Sequence, residues 1–274
     1  MEPRRFVPKP LEVLVVVAGL LVAAYAVYVV RSVSAGTGVE SQPLPRPTAS
    51  VSPTASATPE PTTPARIGPF RRAAARSTTL LVVGDGSGDD PGEWVDLLAQ
   101  DLGAGRQVTL HGWDDATGAF AAPVVYGTGK PLDVWNLSYP GTTPAYAARL
   151  DDVTATPGAV VLSVGHDRDA RSVNRVLTAT RRAITATWDD LPTALVLQDP
   201  STGRARKQQA QAVDAVRARA VRDRLPVIDV RSVFAGADSP GALLADASNP
   251  SAAGSRLWAD TVGSALGLAR PATG

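Results

Sequence analysis

The sequence predicts an α/β domain in three layers, a parallel sheet with helices on both faces, preceded by one transmembrane helix and a disordered stalk. Three observations lead there. Residues 13–30 are continuously apolar, residues 36–65 are rich in proline, serine, threonine and alanine, and from Ser77 onward short β-branched runs alternate with longer runs of helical period.

Taken in chain order, residues 1–12 carry Arg4, Arg5 and Lys9 and are expected to be cytoplasmic. The apolar run Val13 to Val30 spans roughly 27 Å as a helix at about 1.5 Å per residue, enough to cross a bilayer. Only Arg31 follows it closely, so the positive-inside bias places the remainder outside, as a single-pass protein of the cell membrane. Val33-Ser34-Ala35 resembles a small-residue cleavage site, and secretion after signal cleavage is the alternative. Residues 31–76 are read as a stalk, with prolines at 43, 45, 47, 53, 59, 61 and 64. Such a composition packs no core. Its proline-rich part, residues 36–65, would hold a domain up to roughly 90 Å from the membrane at about 3.1 Å per residue.

The folded part is expected over residues 77–270. Strands are expected at Thr79–Val83, Gln107–His111, Asp133–Ser138, Ala159–Val164, Ala194–Gln198 and Pro226–Val230, each bounded by Gly, Pro, Asp or Asn. Helical periods lie between them, through Trp94, Leu97, Leu98 and Leu102, then Val173, Val176, Leu177, Ile184 and Trp188. They continue through Val213, Val216 and Val221, and through Leu257, Trp258, Val262 and Leu266. Near-continuous apolar strands alternating with helices indicate a parallel sheet covered on both faces. With 27 Lys and Arg against 26 Asp and Glu, the net charge of +1 leaves no footprint for nucleic acid. The absence of cysteine excludes disulfides, thiolate metal sites and a cysteine nucleophile.

Chemistry in such a fold sits at the carboxyl ends of the strands, where four loops stand out. They are Gly84-Asp85-Gly86-Ser87-Gly88, the segment 136–146 with Asn136 and Gly141, Gly165-His166-Asp167-Arg168, and Asp246-Ala247-Ser248-Asn249-Pro250 with Gly254. In order and spacing these resemble the conserved blocks of the SGNH/GDSL hydrolases, serine esterases, lipases and carbohydrate deacetylases with a flavodoxin-like α/β/α fold. The resemblance implies a serine nucleophile in the first block and an Asp–His pair in the last. It also implies an oxyanion hole made by the serine amide, the second-block glycine amide and a third-block asparagine.

Carried over position by position, the nucleophile falls on Gly86, the base on Asn249 and the oxyanion asparagine on Asp167, while Asp246 and Gly141 match. Glycine has no group to attack a carbonyl, and an amide does not titrate. An ionised Asp167 would oppose a developing oxyanion. The sequence therefore reads as a degenerate hydrolase, a binding or accessory module for envelope or extracellular glycan, with an acylated polysaccharide as ligand or a polysaccharide-modifying enzyme as partner. The alternative is an active ester hydrolase using Ser87 as nucleophile, one residue along, with His166 as a substitute base.

Other readings of the same residues are weaker. A tight turn of positive φ would account for Gly86. A phosphate cradle lacks the dinucleotide spacing and the Walker lysine. Asp85, Asp167 and Asp246 with oxygen ligands would suit Ca²⁺, although no metal and no cofactor is expected. Arg71, Arg72 and Arg76 read as a solvated hinge. Arg204, Arg206, Lys207, Arg217, Arg219, Arg222 and Arg224 cover several faces of one predicted helix and read as a solvated helix. Trp113 and Trp135 pack a core or line a sugar cleft, and His111 has no assigned role.

Overall fold

A computed structural model of the chain describes residues 63–139, 149–166 and 168–268. The expected membrane span and most of the expected stalk lie outside these. Among the described residues no helix is long and apolar enough to cross a membrane.

Eight strands lie among the described residues: β1 Thr79–Gly84, β2 Gln107–Asp114, β3 Ala119–Phe120, β4 Val124–Tyr126, β5 Pro131–Asn136, β6 Ala159–Ser163, β7 Thr193–Leu197 and β8 Val227–Asp229. The helices are α1 Ile67–Arg76, α2 Trp94–Leu102, α3 Ala170–Trp188, α4 Arg206–Arg222, α5 Val230–Ala235 and α6 Ala252–Leu266. Six strands pair in parallel in the order β2-β5-β1-β6-β7-β8. In the central register Leu80 lies between Val134 of β5 and Ala159 of β6. Every residue of β1, β6 and β7 is buried, which is why these strands read as unbroken apolar runs.

Alternate residues of each strand feed two cores. Leu80, Val82, Val134 and Val161 face α1, α2, α5 and α6, while Leu81, Val83, Val160 and Leu162 face α3 and α4. On the first face Trp94 of α2 stacks on Trp258 of α6 with ring centres 5.6 Å apart, and Phe234 of α5 meets the same indole edge-on. Chain progression reverses at β1. The helix after β1 covers one face and the helix after β6 the other, so the loops of these neighbouring strands part and open a crevice at their carboxyl ends.

Three expectations need correction. Residues 67–76, assigned to the stalk, form α1, because Phe70 and Ala74 recur at helical spacing and bury against α6. The nearby arginines lie on the outer side of this helix, and Arg71 donates from Nε to the Ala265 carbonyl. The chain enters the domain just before α1, where Ala65 bridges in parallel to Pro226 at the start of β8. The returning segment of β3 and β4 was not anticipated, since its strands have two and three residues and Pro123 interrupts the apolar run. It runs antiparallel to β2 along its outer edge, with β4 pairing the first half and β3 the second. Arg219 of α4 is not solvated: it is largely buried and ion-paired to Asp223.

Because Phe70 anchors α1, Phe70→Ala should lower the unfolding free energy by about 3–5 kcal/mol in urea titration. A stalk residue would give no change.

Candidate functional site

The strand β1 delivers its chain into the crevice through Gly84. A side chain at Gly84 would put Cβ 2.5 Å from Ser138 Oγ, so only glycine lets the loops after β1 and β5 approach so closely. Asp85 follows, 4% exposed. One carboxylate oxygen, Oδ2, accepts the backbone amides of Gly165 (2.9 Å) and His166 (3.0 Å). Gln198 Nε2 donates to both oxygens at 2.9 Å, and Ser87 Oγ donates to Oδ1 at 3.0 Å. One side chain thus joins the loops after β1, β6 and β7.

Gly86, at the position of the expected nucleophile, is half-buried, and its φ is not in the left-handed region, so the positive-φ account of this glycine is set aside. Ser87 is 1% exposed, with its hydroxyl committed to Asp85. Asn136, at the end of β5, donates to the Gly88 carbonyl at 2.7 Å and accepts from the Ser138 amide at 3.0 Å, bracing the turn from the other side. Gly141 and Asp167 lie outside the described residues.

His166 is buried. Its Nε2 lies 2.7 Å from Asp199 Oδ1, and its ring meets Trp258 edge-on at 6.1 Å. Asp199 is fully buried, and desolvation pushes its carboxyl pKa up against the lowering effect of the imidazole. His111 stacks on Trp135 at 4.0 Å beyond the site, and Trp113 and Trp135 both pack into the α3–α4 core.

Asp246 and Asn249 are exposed in the loop before α6. Asp246 Oδ1 accepts the backbone amides of Ser248 and Asn249, and Oδ2 accepts from Asn249 Nδ2, each at 2.8 Å. Those bonds hold its pKa down to about 2. The expected acid and base positions are therefore in contact, with an amide where an imidazole would stand. Among the described residues no group of three His, Asp or Glu side chains is placed to hold a metal, and Asp167 of the expected cation set lies outside them.

Solved structures with similar architecture share it at low identity. An acetyl xylan esterase variant from Geobacillus stearothermophilus matches at TM-score 0.50 and 17% identity, over 72% of this chain and 97% of its own. A peptidoglycan O-acetylesterase matches at TM-score 0.50 and 12% identity, over 73% and 93%. A lipolytic protein of the G-D-S-L family from Veillonella parvula matches at TM-score 0.47 and 16% identity, over 67% and 95%. The fold is that of the SGNH/GDSL hydrolases. No family model and no curated protein matches the sequence.

Within this SGNH/GDSL frame, sequence reasoning missed Gln198 and Asp199. Their signal was available: Gln-Asp-Pro directly follows the apolar run of β7, at the carboxyl edge where the other site loops lie. It also missed Glu93 at the N-cap of α2. Burial, reinforced by Asp89 and Asp90, raises the Glu93 carboxyl from an ordinary 4.5 to about 7.

Two outcomes follow from these contacts. Asp85→Ala strands the amides of Gly165 and His166 and should cost about 3 kcal/mol or more of stability in urea titration. Glu93 has a folded pKa above its unfolded one, so its contribution is complete below the unfolded value and is lost as pH rises through about 7. Unfolding free energy measured between pH 4.5 and pH 8 should therefore decline with a component that Glu93→Gln removes.

Proposed function

We propose that the protein is a membrane-anchored, extracytoplasmic SGNH-hydrolase-like module that has lost its hydrolytic machinery and binds a glycan of the cell envelope, alone or beside an enzyme that modifies it. The observation that carries the loss of catalysis is Ser87, whose hydroxyl is buried at 1% exposure and donated to Asp85. A nucleophile must present its oxygen to the substrate and its proton to a base, and Ser87 does neither in this geometry. Position 86 has no side chain and position 249 carries an amide. The names of two structural neighbours, esterases of xylan and peptidoglycan acetyl groups, favour polysaccharide as the ligand class. The apolar run 13–30, with its flanking charges, supports the anchor.

The test is hydrolysis of 4-nitrophenyl acetate by the full-length chain, its Ser87→Ala variant, and the combined Gly86→Ser, Asn249→His and Asp167→Asn variant. The first two should give no rate above buffer and the combined variant a measurable one, because the backbone at Gly86 does not require glycine by its φ. A robust rate in the unmodified chain that Ser87→Ala abolishes would establish the alternative, an active ester hydrolase.

A further inference from the structure

Beside the degenerate site lies a cavity of about 250 Å³ between the turn after β1, the carboxyl half of β2 and the returning segment that carries β3 and β4. Its floor is Gly112: an ideal Cβ there meets no heavy atom within 4 Å, so the strand leaves open space where a side chain would stand. Leu110, Ala121, Ala122 and Val124 form an apolar side, and Asp89, Asp90 and Asp96 an acidic one. Asn136, which braces the catalytic turn, also lines it, so this cavity borders the site described above.

The charge on the acidic side is uncompensated. Asp85 and Asp246 are held by neutral donors, whereas some carboxylates of the domain have cationic partners, Asp101 with Arg256, Asp115 with Arg149 and Asp223 with Arg219. Among the described residues, Asp89, Asp90, Glu93 and Asp96 have none. Asp96 is fixed in place, accepting from Gly92 and Gln100 on one oxygen and from the Tyr126 hydroxyl on the other. Burial raises the carboxyl of Asp89, as expected of an acid that lacks a countercharge.

These features choose among cations. The acidic groups are not gathered for a metal ion. They edge a space with an apolar wall, which suits an ammonium group carried on an organic body. At about 250 Å³ the cavity falls just under the usual range for small-molecule pockets, roughly 300–1,000 Å³, and so accepts one monosaccharide-sized unit. We propose that this cavity binds the free amino group of an N-unsubstituted amino-sugar residue, with the ammonium against Asp89 and Asp96 and the ring over Gly112. The proposal rests on the glycan-binding reading and names the sugar chemistry that reading leaves open.

Calorimetric titration of the full-length chain with glucosamine, N-acetylglucosamine and butylamine, in neutral buffer, tests it. Glucosamine should bind at least about tenfold more tightly than N-acetylglucosamine, which has lost the charge, and than butylamine, which lacks the ring. Asp96→Asn should weaken glucosamine about fivefold or more. Gly112→Leu, which fills open space without a backbone clash, should abolish binding while the thermal midpoint stays near that of the unmodified chain. Equal binding of glucosamine and N-acetylglucosamine, equal binding of butylamine, or unchanged binding in Gly112→Leu would overturn the proposal. Pull-down with insoluble envelope glycan separates the two readings. Retention that Gly112→Leu leaves intact, with no binding of glucosamine, defeats the cavity assignment alone, whereas no retention and no glucosamine binding defeats both.

Discussion

The carboxylate of Asp85 is the constraint on which the site depends. Parallel strands leave their following loops with unpaired backbone groups at the carboxyl edge, and at a topological switch point those loops diverge. Asp85 counters the divergence by accepting from the loop after β6, from Gln198 at the end of β7 and from its own turn through Ser87. The close approach at Gly84, the bracing of the turn by Asn136 and the burial of Ser87 all follow from how tightly that side chain is enclosed.

This arrangement separates two properties that an active hydrolase combines. Holding loops together needs a buried acceptor, glycines at the close approaches and a capped helix behind the last loop. Breaking an ester needs an exposed hydroxyl and a titrating base. The first set is complete: Asp85 is saturated with donors, and Ser251 caps α6 by accepting from Gly254. Of the second set, position 86 has no side chain, and Asn249 pairs with Asp246 through an amide.

Much of the fold could be read from the sequence because its strands are buried on both faces. Apolar runs such as TLLVVG and TALVL have no other use in a chain of this composition, and the six parallel strands were located to within a few residues. The segment of β3 and β4 escaped because Val124 and Val125 are exposed and its strands are too short to show alternation. Helix α1 escaped because it follows a proline-rich tract and carries three arginines and three alanines, leaving Phe70 as the strong marker. At the site, residue identity gave the positions of Asp85, Gly86, Asn136 and Asp246. It could not give the direction of the Ser87 hydroxyl, which depends on three loops meeting, nor the His166–Asp199 pair, which joins residues 33 apart in the chain across neighbouring strands.

The bridge between Ala65 and Pro226 sets the end of the sheet at which the described chain enters the domain. Pro226 stands at the amino end of β8, whereas Asp85, His166 and the cavity over Gly112 stand at the carboxyl ends of β1, β6 and β2. Ala65 therefore lies at the base of the sheet, opposite the edge where Asp85 joins three loops. A load applied at Ala65 meets the edge strand β8 and helix α1 before it reaches those loops.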